Sequence, residues 1–120
     1  MKARTKRFAI NVGKLIQALE SNRINNAYCN QLIRCSSSVG ANYRAAQRAK
    51  STADFINKLK IVEEETDESI YFLELLLKFN PIQNLTINML IGEGEEILRI
   101  IVASITTTRQ HKLHQTQTTQ

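Results

Sequence analysis

Tryptophan is absent from this sequence, aromatic residues make up only 6% of it, and it has one proline and four glycines. The scarcity of aromatic side chains disfavours an aromatic-rich β-sandwich. Proline and glycine interrupt helices, so their scarcity permits long ones. Long apolar runs are lacking too, because residues 70–77 and 97–103 contain Glu74 and Arg99 and fall short of the ~20 residues that cross a bilayer. We therefore expect a soluble protein with no membrane partner.

Cysteine and histidine are equally sparse. Cys29 and Cys35 fall in one expected helix, about 120° apart in projection, so they cannot pair with each other. His111 and His114 lie in a polar segment, far from any bundle core that a di-iron or zinc site would need. We expect no metal and no cofactor. The basic residues after Met1 leave no apolar signal-peptide segment, which together with the free cysteines indicates a reduced, cytoplasmic setting.

Apolar residues instead recur every three or four positions in four segments, the pattern of amphipathic helices. The segments run from about 5 to 20, 24 to 49, 51 or 52 to 79, and 84 or 86 to 108. Ser51 or Thr52 is a good N-cap for the third, and Pro81 disfavours helix in the residue before it. The core stripes comprise Phe8, Val12, Leu15 and Leu19; Tyr28, Leu32, Cys35, Val39, Tyr43 and Ala46; Phe55, Leu59, Val62, Thr66, Ser69, Ile70, Leu73 and Leu76; and Ile87, Leu90, Gly94, Ile97, Ile101 and Ile105.

These segments predict an all-α, antiparallel up-down-up-down four-helix bundle over residues 1–109. The rest, 110–120, consists mostly of polar residues and is expected to be a disordered C-terminal tail, since it has little apolar surface to bury. A break of the second helix at residues 36–40, giving a helix-turn-helix, is the competing interpretation. The apolar stripe keeps its phase across that stretch, which favours one continuous helix.

The acidic run of residues 63–68 is the first candidate for a site. Glu65 and Glu68 fall on a partly apolar edge, where carboxylates need partners, and Arg34 or Arg44 are the natural donors. We interpret these four residues as structural ion pairs. No nucleophile with an adjacent base is evident, and Cys35 lies on the apolar stripe, so we expect no catalytic site and no enzymatic activity.

Charge is unevenly placed along the chain. Residues 1–50 hold ten basic and one acidic residue, whereas residues 51–120 hold six basic and ten acidic ones. A basic half of this kind suggests a polyanion, an acidic partner surface, or self-association between unlike halves. The residues best placed to contact phosphates are Arg7, Lys14, Arg44, Arg48 and Lys50. The alternative is that these charges serve solubility and helix pairing, in a structural or protein-docking oligomer.

Several motifs in order resemble those of the four-helix bundle family of 23S rRNA intervening-sequence proteins (S23-like). Residues 31–51 (QLIRCSSSVGANYRAAQRAKS) resemble the family's Gln-x-x-Arg-Ser and Ala-Asn elements. Asp54-Phe55 and Glu65-x-x-Glu68-x-x-Tyr71 follow at matching spacing, and residues 96–106 resemble the fourth helix. Ala45 stands where many relatives have Glu, and Phe72 where they commonly have Trp.

The resemblance spans roughly residues 5–109 and implies a bundle that assembles into a ring-shaped homo-oligomer, typically a homopentamer. It also implies RNA or DNA as a partner, since a related branch serves retroelement reverse transcriptases as a nucleic-acid-binding accessory with a positively charged barrel. A reverse transcriptase or another protein is therefore a further implied partner. Ala45 removes one carboxylate that could pair with the neighbouring arginines.

Overall fold

The structure, a computed structural model, describes residues 1–119, with side chains described through Gln115. Within these residues the chain forms four α-helices and no strand, which confirms the all-α prediction. The helices are α1 (Lys2–Ala18), α2 (Arg23–Gln47), α3 (Thr52–Phe79) and α4 (Asn84–Thr119), with a single 3-10 turn, Pro81–Gln83, before α4.

The helix boundaries follow from local chemistry. Ser51 caps α3, its hydroxyl accepting from the Asp54 backbone N–H at 3.0 Å, and Asn22 caps α2 in the same way through Asn25. The third helix ends at Phe79, as Pro81 predicts. The second helix continues unbroken through residues 36–40, so the helix-turn-helix alternative is wrong.

The core consists mainly of the predicted stripes, together with Cys29 and Ile56, which the stripes do not include. Nearly all of their members are buried, while the large aromatic side chains Tyr28, Tyr43 and Phe55 are half-buried and pack against the core from its edge. The stripes are reliable because burial along an amphipathic helix depends only on the local 3.6-residue period.

Contacts between neighbouring helices show that they alternate in direction. Asn25 of α2 contacts Asn80 after α3, while Cys35 contacts Ser69, so residue numbers rise on one helix as they fall on the next. Arg4 of α1 contacts Glu93 of α4, and Ile70 of α3 lies against Gly94. The result is an antiparallel bundle 60 Å long and 21 Å across in each other direction. Packing is most extensive between α2 and α3 and between α3 and α4.

The fourth helix is longer than the sequence predicts, since it continues from the expected end near Thr108 to Thr119. No glycine or proline follows Gly94, and Gln115 contacts His111 one turn earlier at 3.1 Å, so nothing in this stretch terminates a helix. Residues 109–115 are exposed. The division of the chain at residue 109 stays a prediction. None of the helices in the described residues is long and apolar enough to span a membrane.

Candidate nucleic-acid interface

A groove between α1 and α2 carries basic residues along its rim. It has a volume of about 610 Å³, and Lys2 and Lys6 of α1 face Arg44 of α2 across it. The floor is made of small side chains, among them Ala9 and Ala41. Gly40 allows the two helices to approach closely here, since a Cβ at that position would lie 3.3 Å from Thr5 Oγ1. The groove therefore presents three cations above a shallow, uncharged floor.

Arg44 and Arg48 follow each other one turn apart near the end of α2. They line a smaller hollow of about 300 Å³ together with Ala41 and Ala45. Ala45 places a methyl group between the two arginines, so no carboxylate neutralises them from within the hollow. Lys50 follows in the turn to α3, where its backbone N–H donates to Asp54. Its side chain is exposed.

Arg7 and Lys14 lie on another side of α1. Arg7 lines a groove of about 500 Å³ between α1 and α4, next to Arg4 and Met89. Lys14 lies seven residues further, which places it on the same side of the helix, and it is exposed. The structure thus divides the predicted phosphate contacts into two groups. Lys2 and Lys6, which sequence reasoning did not single out, are the α1 residues that accompany Arg44.

Arg4 and Glu93 form an ion pair that sequence reasoning also missed. The guanidinium donates through Nε to Oε2 at 2.7 Å and through a terminal nitrogen to Oε1 at 2.9 Å, a forked arrangement. The hydrogen bond from Arg4 lowers the pKa of the Glu93 carboxyl below its ordinary value, and the same bond raises the pKa of Arg4. Arg4 is thereby occupied in joining α1 to α4.

Arg34 is the donor to the acidic edge of α3. It contacts Glu68 at 2.5 Å and Glu65 at 3.4 Å, and its own side chain is half exposed. Exposure of that degree places the pair among surface salt bridges, which contribute up to about 1 kcal/mol. Arg44 does not join this network, because it lies ten residues further along α2, about 15 Å along the axis. It faces the α1 groove instead.

The two cysteines are buried inside the bundle. Burial raises the pKa of both thiols, and the Cys35 sulfur accepts from the Ser69 hydroxyl at 3.3 Å. Thiols of this kind behave as small apolar groups in a core. In the described part of the chain, no group of three or more His, Cys, Asp or Glu side chains is placed so that it could hold a metal ion.

Comparison with known proteins identifies the family. A family model described as 23S rRNA-intervening sequence protein matches residues 1–103. The chain belongs to that family. No curated protein matches it.

A relative whose structure has been solved has the same fold. It is a Bacteroides thetaiotaomicron protein of the S23 ribosomal protein family, described as having unknown function. The two chains are 33% identical, with a TM-score of 0.79 over 87% of this chain and 96% of that one. Membership of the intervening-sequence family therefore explains why this chain folds as a four-helix bundle.

In this member of the 23S rRNA-intervening sequence family, charge is segregated along the bundle. Because neighbouring helices are antiparallel, residues 44–61 and 103–115 meet at one end, where α2 ends, α3 begins and α4 runs out. We call this region the basic end. It holds seven basic residues and one acidic residue, whereas residues 62–96 hold nine acidic and one basic. The basic residues contributed by α3 and α4 are Lys58, Lys60, Arg109 and Lys112.

This contribution of α3 and α4 is not evident from the sum of charge along the chain, because it depends on the direction in which each helix runs. The signal was available: alternating helix directions bring the start of the third helix and the end of the fourth to the place where the second helix ends.

Proposed function

We propose that this protein is a non-enzymatic, oligomeric bundle that binds RNA or DNA through the basic residues near its α2–α3 turn. The observation that carries the proposal is the grouping of Arg44 and Arg48 with Lys2 and Lys6 around uncharged grooves. Lysine and arginine on such a surface neutralise phosphates and release counterions, which supplies most of the affinity of sequence-independent binding.

Lys50 extends this surface into the turn, and Arg7 and Lys14 provide a second group of phosphate contacts on the α4 side of α1. The proposed biological setting is the cytoplasm. The nucleic-acid-binding branch related to the family that the sequence resembles supports the same direction, as does the family's description as 23S rRNA-intervening sequence protein.

Self-association is part of the proposal, with a ring of five chains as the expected form. The unlike charges of the basic end and of the acidic residues 62–96 support contact between different faces of two copies. Such heterologous contacts close into a ring when the rotation between subunits permits it.

Replacing both arginines tests the proposal. We expect Arg44→Glu with Arg48→Glu to weaken binding of a labelled structured RNA by more than about tenfold, and the slope of log affinity against log salt to fall by about 2. Fluorescence anisotropy over a salt series measures both. Lys78→Glu with Arg99→Glu is the charge-matched control, since those residues lie outside the basic end. Equal affinity and equal slope in the Arg44 and Arg48 variant would show that the assignment is wrong.

A structural or protein-docking oligomer is the second candidate. Exposed apolar side chains favour it: Ile82, Leu85 and Met89 are 91%, 72% and 68% exposed near the start of α4. Exposed apolar clusters mark contacts with other proteins or with membranes. Under this candidate the purified protein retains nucleic acid only weakly and without dependence on its length, whereas Leu85→Lys disrupts assembly or partner capture.

A further inference from the structure

A groove at the basic end combines cations with an apolar wall. It lies between the first two turns of α3 and the last turns of α4, with a volume of about 430 Å³. The residues that line it are Ala53, Ile56, Asn57, Arg109, Lys112 and Leu113. Its α4 side lies beyond residue 103, where the match to the family ends, so family membership does not account for it.

The charged residues of the groove suit a phosphate. Arg109 is exposed and forms no salt bridge with any residue that the structure describes. Lys112 lies one turn away on the same side of α4. Both face the first turns of α3, whose N-terminal dipole favours an anion. Asp54 is the single acidic residue of the basic end. Its carboxylate accepts a hydrogen bond from the backbone N–H of Lys50, just before α3.

The uncharged residues suit a planar base. Ile56 is 9% exposed and closes the floor, while Leu113 is 62% exposed and stands at the side. An aliphatic wall offers little to the backbone of a duplex, whose bases are stacked inside. It offers contact area to a base whose face is bare, which occurs in loops, bulges and single-stranded ends. Asn57, exposed at the rim, supplies an amide that can donate to and accept from a base edge.

We propose that this groove binds an unpaired nucleotide of the nucleic acid, with the base against Ile56 and Leu113 and the phosphate at Arg109 and Lys112. The inference rests on the proposed function and adds a preference for single-stranded extensions over blunt duplex. Continuity favours a nucleic acid over an acidic peptide, because Lys50 and Thr108 line the adjoining hollow and lead from this groove toward Arg48.

The test compares two labelled probes, a blunt-ended RNA hairpin and the same hairpin with a single-stranded extension. We expect the wild-type protein to bind the extended probe about threefold more tightly, less than the effect of stacking one base on an aromatic ring. We expect Arg109→Gln with Lys112→Gln to remove this preference, so that the two probes bind with equal affinity even where the loss of charge weakens both. Lys78→Gln with Arg99→Gln removes the same number of charges elsewhere and keeps the preference.

A second variant separates base contact from charge. Leu113→Ser is expected to remove the preference without changing the salt dependence, because it takes away apolar contact and no cation. Circular dichroism verifies the helix content of each variant; all three replaced residues are exposed, so folding should persist.

Three results would overturn the inference. Equal binding of both probes by the wild-type protein refutes the groove assignment and leaves the proposed function standing. If poly-glutamate at equal charge concentration abolishes the tighter binding of the extended probe, while the hairpin itself stays bound, the groove is assigned to acidic peptides. Binding of neither probe removes the proposed function and the inference together.

Discussion

Two asparagines meet in the interior at the end of the bundle opposite the basic end. Asn25 and Asn80 each donate an amide hydrogen to the other's carbonyl oxygen at 2.9 Å. Their second amide hydrogens go to the carbonyl oxygens of Glu20 and Leu76, also at 2.9 Å. Both side chains are buried, and the described residues include no buried side-chain polar atom without a partner. The pair therefore fixes how the α1–α2 connection sits against the end of α3.

Removing one member of this pair leaves the other amide buried and incompletely satisfied. We expect Asn25→Ala to lower the free energy of unfolding by about 1–3 kcal/mol. Urea denaturation followed by circular dichroism measures the change. Asn30→Ala, at an exposed position of the same helix, is the matched control and is expected to change stability by less than about 0.5 kcal/mol. Equal midpoints for the two variants would contradict a stabilising role for the pair.

The Arg4–Glu93 pair predicts a pH dependence. The pKa of Glu93 is lowered in the folded protein, so the unfolded chain binds more protons in acid and the stabilisation is present above the ordinary value of 4.5. It is lost as the pH falls through the lower, folded-state pKa. We expect the wild type to melt at a higher temperature than Glu93→Gln at pH 6, and this difference to shrink as the pH approaches 3.

Thermal melts at a series of pH values measure that difference. Glu95→Gln, an exposed carboxylate two residues away, is the control and is expected to show no such trend. A constant difference between wild type and Glu93→Gln over the whole range would contradict the assignment.

Within α4, two glycines two residues apart have opposite surroundings. Gly92 is exposed and has open space where a Cβ would project, whereas Gly94 is buried and a Cβ there would lie 2.9 Å from Ile70 Cγ1. Gly94 thus lets α3 and α4 approach closely. Both glycines carry the entropic cost of glycine in a helix, but only at Gly94 does close packing offset it.

Alanine at the two positions is expected to act in opposite directions. Gly92→Ala should raise the free energy of unfolding by about 0.5–1 kcal/mol, because it restricts the unfolded chain and adds no clash. Gly94→Ala should lower it by about 1–3 kcal/mol, because the core must shift to admit the methyl group. Chemical denaturation of both variants measures this, and each serves as the control for the other. Stabilisation by Gly94→Ala would show that the interface has room to spare.

The sequence predicts elements better than it predicts the contacts between them. The stripe from Phe8 to Leu19 and the stop at Pro81 are local properties, and the structure has both. The sequence does not predict the extension of α4, since residues 109–115 are mostly polar and show no apolar stripe. The Arg4–Glu93 pair was also missed, because it depends on how α1 is rotated against α4, which a single helix does not encode.

The whole molecule is an elongated bundle whose basic residues are concentrated toward one end. Most of the acidic residues lie in 62–96, and the basic end gathers residues from three helices. Because neighbouring helices run in opposite directions, a modest asymmetry of charge along the sequence becomes a strong asymmetry of charge along the bundle. A long-range field of this kind orients an approaching polyanion before contact, and the effect weakens as salt is added.

Mass in solution tests the assembly that this polarity supports. We expect light scattering after size exclusion to give a mass near five chains, with nucleic acid co-eluting at low salt and removed at high salt. Absorbance at 260 and 280 nm recorded on the same peak shows which is present. An oligomer that never carries nucleic acid would favour the docking candidate, and a monomer would contradict the proposed ring.

The reciprocal hydrogen bonds between Asn25 and Asn80 have a consequence for descent within the family. Each buried amide needs the other to satisfy its hydrogen bonds. The two positions are therefore expected to change together in evolution, although 55 residues separate them. A lineage that exchanges one for an apolar side chain is expected to exchange both, and a lineage that keeps one is expected to keep the pair.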